Sequence, residues 1–192
     1  MTAEKILSLY NISDKYSIEL AKLARDDDLF LNKYKYTIIW RRILRWFDWK
    51  TRYRALNSFV KGRIMPRWAL KLYKEIKPLY EEHLKETIKS YKLVSVKNIK
   101  IAIVKADPRI HSGEIQYLLE KNGVNADYYI VVYPKALSLR SRKSNVALIA
   151  EEFGGGGHYM AAGIPCTSET QDIIINKIIK YFEKQEKNIN TL

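Results

Sequence analysis

The residues of this chain best suited to chemistry are a run of glycines and the histidine behind it. The segment Glu151–Gly163 reads EEFGGGGHYMAAG, so four of the eight glycines stand together before His158. Closely spaced backbone N–H groups that lack side chains can bind a phosphate or a carboxylate, and an imidazole can add a donor. A tight loop that needs positive φ angles has the same composition. On the residues alone, both interpretations of the glycines stay open.

Two arginines ahead of the glycines could supply positive charge. The stretch 136–142 (ALSLRSR) alternates apolar and polar residues, which predicts a β-strand with both arginines on its polar face. Residues 159–162 are compatible with a helix, which would place the glycines at a helix N-terminus. Guanidinium groups form strong, charge-assisted hydrogen bonds to phosphate. The candidate nucleic-acid or phosphate-binding residues are therefore Arg140, Arg142, Gly154, Gly155, Gly156, Gly157 and His158.

The elements that must position these residues are strands and helices in the second half of the chain. Residues 99–104 (IKIAIV) and 128–133 (YYIVVY) have the β-branched and aromatic composition of buried strands. A helical pattern at 112–121 lies between them, which predicts a βαβ unit. A short helix at 146–152 and an amphipathic helix at 170–187 complete this half.

The first half of the chain is predicted to be helical. Residues 4–10 and 16–25 have helical apolar spacing, with Ser13 and Asp14 suited to start the second helix, and a further helix runs from Pro66 to about Tyr91. The predicted fold class is α+β or α/β, an N-terminal helical region followed by a small α/β domain with a mixed sheet flanked by helices. We expect domains at 1–92 and 93–192.

Positive charge is concentrated in the helical half. The chain has a formal net charge of +13, and residues 33–74 contain thirteen basic residues, one acidic residue (Asp48) and all four tryptophans. Such a region attracts nucleic acid or, as alternatives, an acidic protein or an anionic membrane surface. A solvated basic helix surface is the plainer interpretation. Helical spacing also predicts a second aromatic and basic stripe on the helix around Trp46, a possible partner-docking surface formed by Arg42, Trp46, Trp49 and Tyr53.

Several classes of protein and of site are disfavoured by composition. A single cysteine excludes an internal disulfide, and the three scattered histidines lack the spacing of a zinc site. No apolar run is long enough to span a bilayer. We therefore expect no metal, no cofactor, no membrane partner and a cytoplasmic protein, which binding to nucleic acid would make nucleoid-associated.

The order of the strand ALSLRSR, a short helix and EEFGGGGHYMAAG resembles the domain that accompanies the catalytic domain of the DHH phosphoesterases. This family includes RecJ-type exonucleases, oligoribonuclease-like enzymes and cyclic-dinucleotide phosphodiesterases. The resemblance covers residue 99 to the C-terminus. It implies that the domain binds the sugar-phosphate chain of a substrate through Arg140, Arg142, Gly155 to Gly157 and His158. A related domain in alanyl-tRNA synthetases contacts tRNA, so RNA stays open as a ligand.

The chain departs from this family in its catalytic residues. The resemblance implies a two-metal mechanism with ligands that include an Asp-His-His triplet, and no such triplet occurs here. The opening TAEKIL is similar to the helix just beyond that triplet, and ELAKLARDDDLF resembles the region of the last metal-binding aspartate. We expect the chain to begin after most of the catalytic domain. Asp26, Asp27 and Asp28 are either a relic of metal binding or a helix end that balances nearby arginines.

The function predicted on these grounds is that of a non-catalytic, RecJ-like nucleic-acid-binding protein with no catalytic residues, favouring single-stranded DNA. Catalytically silent relatives of RecJ accompany the GINS complex and the replicative helicase in archaeal and eukaryotic replication. The resemblance therefore implies an accessory subunit of a DNA replication or repair complex, with one of these as partner. The alternative is the substrate-binding subunit of a split, Mn-dependent phosphoesterase or exonuclease. A truncated remnant with little activity is the third interpretation.

Overall fold

A computed structural model describes residues 2–185, and the chain forms two compact units, Met1–Glu82 and His83–Leu192. The division falls ten residues before the boundary at 92/93 that the sequence predicted, inside a long helix. The predicted fold class is confirmed, because helices precede an α/β unit with a mixed sheet. Among residues 2–185, none of the helices combines the length and the apolarity that crossing a membrane requires.

The first unit is helical, and local residues explain where its helices begin. The Asp14 carboxylate accepts hydrogen bonds from the backbone N–H groups of Tyr16 and Ser17 at 3.0 and 2.9 Å, as predicted for a helix start at this point. The Asp48 carboxylate accepts from the Thr51 N–H at 3.2 Å and starts a further helix in the same way. The helices are α1 (Thr2–Leu9), α2 (Lys15–Asp28), α3 (Lys35–Trp46), α4 (Trp49–Val60) and α5 (Arg67–Lys89), which continues past Glu82.

The core of the first unit lies between α3, α4 and α5. Its buried members are mainly aliphatic, and Trp40 is the largest of them. The Trp40 indole nitrogen donates to the carbonyl of Ile64 at 2.9 Å, and its ring lies edge-on to Phe59 and Trp68. Trp40 therefore has a structural role.

The second unit is built on a six-stranded mixed sheet with the order β1-β2-β3-β4-β6-β5. β2 and β3 are parallel and joined by α6, as the predicted βαβ unit requires, and all other neighbouring pairs are antiparallel. The sequence did not predict β1, β5 or β6. The elements are β1 (Lys92–Val96), β2 (Ile99–Lys105), α6 (Ser112–Lys121), β3 (Tyr128–Tyr133), β4 (Ala136–Arg140), α7 (Val146–Glu151), β5 (Gly156–His158), β6 (Ala161–Pro165) and α8 (Gln171–Gln185).

The two faces of this sheet are covered unequally. Side chains of α7 and α8, such as Ile149 and Ile178, pack with Leu137, Leu139 and Ile164 in the main core of the unit. The opposite face of β4 meets α6, as shown by the hydrogen bond between the hydroxyls of Ser138 and Ser112. Because side chains alternate along a strand, one face of the β4-β6-β5 end is buried in the core while the other carries Arg140 and His158 of the predicted site.

Candidate nucleic-acid interface

The strand register brings Arg140 and His158 onto one face of the sheet. Arg140 pairs with Ala161, and Ala161 pairs with His158, so the three residues form a row across β4, β6 and β5. The next row on the same face is Ser138, Gly163 and Gly156. We call these two rows, Ser138, Arg140, Gly156, His158, Ala161 and Gly163, the polar shelf. The backbones of its outer strands lie about 10 Å apart, twice the strand spacing.

The floor of the polar shelf is exposed backbone. Gly163 is exposed and Gly156 is half-buried. A Cβ added to Gly156 would meet nothing within 4 Å, and one added to Gly163 would reach only the carbonyl of Leu137 at 3.9 Å. Neither residue has a positive φ. Packing and backbone conformation therefore do not require glycine at these two positions, and the missing side chains leave room for a ligand to approach the strands.

The neighbouring glycines are explained by packing and conformation. A Cβ on Gly155 would overlap the carbonyl oxygen of Gly163, and one on Gly157 would lie 2.6 Å from the Cα of Ala162. Gly154 has a φ of 75°, in the left-handed region that favours glycine. The tight-loop interpretation therefore explains three members of the glycine run, and neither packing nor φ explains Gly156.

The predicted helix start at the glycines is wrong. Residues 159–162 form a turn and the beginning of β6, so the run lies in a β-hairpin. The amides of Gly154 and Gly155 donate to the carbonyls of Glu151 and Ala150, at 3.1 and 2.8 Å, and cap the C-terminal end of α7. These two N–H groups therefore do not form the predicted nest for an anion, since the end of α7 needs them as hydrogen-bond donors.

Arg140 is fixed in position by α6. Its side chain is 8% exposed, its Nε donates to Gln116 Oε1 at 2.9 Å, and its Nη1 lies 3.5 Å from Ser112 Oγ. Ser112 is the first residue of α6, whose start is capped by His111 Nδ1 accepting from the Gly113 N–H at 3.0 Å. A guanidinium group held in this way is already oriented before a ligand arrives.

Arg142 does not lie beside Arg140, contrary to the prediction. β4 ends at Arg140, and Arg142 forms a bidentate ion pair with Glu120 at 2.7–2.9 Å. Hydrogen bonding to that carboxylate raises the pKa of the Arg142 guanidinium. The two residues line a cavity of about 350 Å³ together with Asp127, Tyr129 and Lys143, and Arg140 is not part of that lining. Glu120 occupies the Nε–H and one Nη2–H of Arg142, so an anion at this arginine would meet a guanidinium whose charge is already paired.

The acidic cluster at the end of α2 has partners inside the first unit. Asp26 is 1% exposed and accepts from the backbone N–H groups of Lys33 and Tyr34 at 2.8 and 3.3 Å. Asp27 accepts from the Nε of buried Arg41 at 2.6 Å. These contacts favour the structural interpretation of the cluster. Within residues 2–185, no group of three or more acidic, histidine or cysteine side chains is placed to hold a metal ion.

The predicted docking stripe is divided between two helices. α3 ends at Trp46, Phe47 has an extended backbone, and Asp48 caps α4, so Trp49 and Tyr53 are not on the helix of Arg42. Arg42 and Trp46 pack against the ring of Tyr80. Trp49 and Tyr53 are 75% and 66% exposed. The prediction of one continuous stripe is therefore wrong, and only its α4 part faces solvent.

Sequence reasoning missed three polar residues at the site. Ser112 and Gln116 reach Arg140 from α6, and Ser138 lies two residues before Arg140 on the same face. The alternation of β4 already placed Ser138 beside Arg140. No sequence signal indicates that α6 packs on this face, because that contact depends on the path of the chain between β2 and β3.

Solved structures of DHH-domain proteins resemble this chain. RecJ from Thermus thermophilus in complex with Mn²⁺ has a TM-score of 0.54 and 14% identity, and the match covers 93% of this chain and 26% of RecJ. The complex of the same RecJ with Mg²⁺ has a TM-score of 0.50 and 18% identity, covering 73% of this chain and 24% of RecJ. The pGpG-specific phosphodiesterase PggH from Vibrio cholerae has a TM-score of 0.50 and 12% identity, covering 92% of this chain and 71% of PggH.

These likenesses establish a shared fold. The chain spans about a quarter of the RecJ structures that it matches. No protein-family model and no curated protein sequence matches it. The resemblance to DHH-domain proteins, noted above on the glycine motif, therefore holds at the level of the fold.

Proposed function

We propose that the second unit binds a nucleic-acid strand on the polar shelf and does not cleave it. Single-stranded DNA is the favoured ligand, and RNA is the related candidate. The observation that carries this proposal is the row Arg140, Ala161 and His158 beside Gly156 and Gly163, where no side chain covers the strands. An oriented guanidinium, a neighbouring imidazole and a floor without side chains suit a phosphate group and its sugar.

The strand is bound mainly through its phosphates, because the shelf offers a guanidinium, an imidazole and bare strands rather than side chains arranged to read base edges. Because such binding releases counterions from the strand, the affinity should fall steeply as the salt concentration rises. Tyr159 and Met160, in the turn beside His158, are exposed and can contact unpaired bases. Little dependence on base sequence is expected.

A non-catalytic role is supported by the residues of this chain. The sequence lacks an Asp-His-His triplet, and two acids of its acidic cluster have structural partners. We therefore propose an accessory subunit of a DNA replication or repair complex. The family resemblance suggests the GINS complex or the replicative helicase as its partner, and co-purification with each of them tests this part directly.

The shelf is tested by fluorescence anisotropy with end-labelled single-stranded DNA and RNA. Gly156→Val should weaken binding at least tenfold while the unfolding temperature stays unchanged, because its side chain would project into open space over the shelf. Lys121→Ala, at an exposed cation outside the shelf, is the matched control and should leave the affinity within about twofold. Equal binding by the native protein and the Gly156→Val variant would exclude the shelf as the site.

A split phosphoesterase is the second candidate, favoured by the polar shelf, where Arg140 and His158 lie in one row and could hold a substrate phosphate. In that case another chain supplies the metal ligands, and the shelf holds the substrate. Manganese-dependent release of mononucleotides only when a partner chain is added would support it. Release by the purified chain alone would contradict the non-catalytic proposal.

A further inference from the structure

The exposed surface of α4 carries a continuous line of large apolar side chains. Trp49, Tyr53, Leu56 and Val60 follow one another at helical spacing and are 75%, 66%, 53% and 79% exposed. We call these four residues the apolar stripe. It runs about 16 Å along the helix, or three turns. Apolar side chains scattered singly are common on protein surfaces, but a row of four on one helix face indicates an interaction site.

The opposite side of α4 is already occupied. Ala55 is 1% exposed and Ser58 is 8% exposed, and Phe59 packs edge-on to Trp40 with ring centroids 5.0 Å apart. These contacts anchor the helix in the first unit and fix the direction in which the apolar stripe points. The helix that carries the stripe is thus already formed and packed, which lowers the entropy lost when a partner binds.

Cations border the apolar stripe on both sides. Lys50 and Lys61 lie on one side of it and Arg52 on the other, and none of the three forms an ion pair within residues 2–185. The acid nearest in sequence, Asp48, caps α4 through the Thr51 N–H. A partner that covers the stripe therefore gains most if it brings its own carboxylates to the border.

We infer that the apolar stripe docks an amphipathic helix of a partner protein, with its apolar residues against the stripe and acidic residues facing Lys50, Arg52 and Lys61. Three turns of α4 match the length of one such helix, which would bind through anchors at i, i+3 or i+4 and i+7. An acidic, apolar helix of this kind is the partner that an accessory subunit would need. The inference rests on that part of the proposed function and is independent of nucleic-acid binding.

The other possible occupants fit the apolar stripe less well. Half of it is aliphatic and cannot stack on bases, and the Arg52 guanidinium covers one face of Trp49 at 5.1 Å from the ring centroid. A second copy of the chain would bring its own cations against Lys50 and Lys61.

The test is selection from a displayed library of helical peptides against the full chain and against its Leu56→Ser/Val60→Ser variant. We expect the native chain to enrich peptides with acidic residues flanking an apolar i, i+3 or i+4, i+7 pattern, and the variant not to enrich them. The matched control is Leu148→Ser, at a leucine of the second unit that is 58% exposed. It should enrich the same peptides as the native chain.

Calorimetry with one enriched peptide should show that it binds the Leu56→Ser/Val60→Ser variant at least tenfold more weakly than the native chain. Its binding to the native chain should weaken as the salt concentration rises. Lys50→Glu/Lys61→Glu should also weaken it, whereas Lys121→Glu/Lys177→Glu, at exposed lysines of the second unit, should not. Enriched peptides without acids, or equal binding to the native chain and the Leu56→Ser/Val60→Ser variant, would overturn the inference.

Three further measurements identify a different occupant. They are the binding of an oligothymidine, the binding of phosphatidylcholine–phosphatidylserine vesicles, and the sedimentation mass of the chain. If Leu56→Ser/Val60→Ser abolishes any one of the three interactions, the occupant is nucleic acid, membrane or a second copy, and the inference fails. Unchanged oligothymidine binding by this variant supports it and leaves nucleic-acid binding by the shelf as a separate question.

Discussion

The polar shelf and the surface of α4 are both positively charged, but they hold their charges in different ways. On the shelf, Arg140 is buried and oriented by Gln116 and Ser112. On α4, Lys50 and Lys61 are exposed beside a row of apolar side chains, with no ion pair in the described part of the chain.

This difference shows that the density of basic residues in a sequence does not tell which cations are exposed and which are held by the fold. Residues 33–74 contain most of the excess charge, yet several of their arginines serve the fold. Arg41 is 4% exposed and paired with Asp27, and Arg42 lies over the ring of Tyr80. The best-oriented cation at the predicted site, Arg140, belongs to the less basic half of the chain. This contrast is the basis on which we propose different ligands for the two surfaces, a phosphate chain on the shelf and an acidic, apolar helix on α4.

The largest effect is expected from Arg140→Gln combined with His158→Ala. Loss of two charge-assisted hydrogen bonds should weaken the binding of single-stranded DNA by about 2–4 kcal/mol. Anisotropy titrations measure it, and thermal unfolding of Arg140→Gln alone is the control for stability, because Arg140 is buried and bonded to Gln116 and Ser112. If Lys50→Glu/Lys61→Glu weakens binding by as much, the distinction between the two surfaces fails.

The next largest effect is expected on the stability of the protein, at Gly155. Gly155→Ala should lower the free energy of unfolding by about 1–3 kcal/mol, because the new methyl group would overlap the Gly163 carbonyl. Gly156→Ala, its neighbour, should leave stability unchanged. Urea unfolding followed by circular dichroism compares them. Equal stability of the two variants would show that close packing does not explain the glycine at 155.

A smaller effect is expected at Arg142. Glu120→Gln removes the carboxylate that pairs with this arginine at 2.7 Å, and the freed guanidinium can then reach a bound strand. The affinity for single-stranded DNA should rise by about 0.2–1 kcal/mol, the range typical of exposed ion pairs. Anisotropy measures this change. A fall in affinity would mean that the ion pair supports the shelf.

The smallest effect should follow substitution in the apolar stripe. Leu56→Ser and Val60→Ser should each change the free energy of unfolding by less than about 0.5 kcal/mol, because both side chains are more than half exposed. Thermal unfolding measures it. A destabilisation above about 2 kcal/mol would show that the fold needs the stripe. The stripe would then not be a docking surface.

Part of this architecture could be predicted because it is encoded locally. The periodicity of residues 112–121 and 128–133 gave α6 and β3 with the bounds that the structure has, and Asp14 started α2 as expected. Alternation along β4 placed Arg140 on a polar face. Short-range spacing and capping chemistry decide such features, so a single stretch of sequence contains the information.

Other features could not be predicted from local patterns. β5 and β6 were missed because residues 156–165 are rich in glycine and alanine and become strands only by pairing with each other and with β4. The continuous stripe from Arg42 to Tyr53 was wrong because two intervening residues, extended Phe47 and capping Asp48, end one helix and start the next.

The sequence by itself determined the fold class, the run of four glycines and the clustering of charge in residues 33–74. The tertiary structure decided which of these features can act: that His158 stands in line with Arg140, that Arg142 is bound to Glu120, and that α4 leaves its apolar stripe exposed. The physical reason is that strand register, ion-pair partners and burial are set by contacts between residues distant in the chain, which no local spacing records.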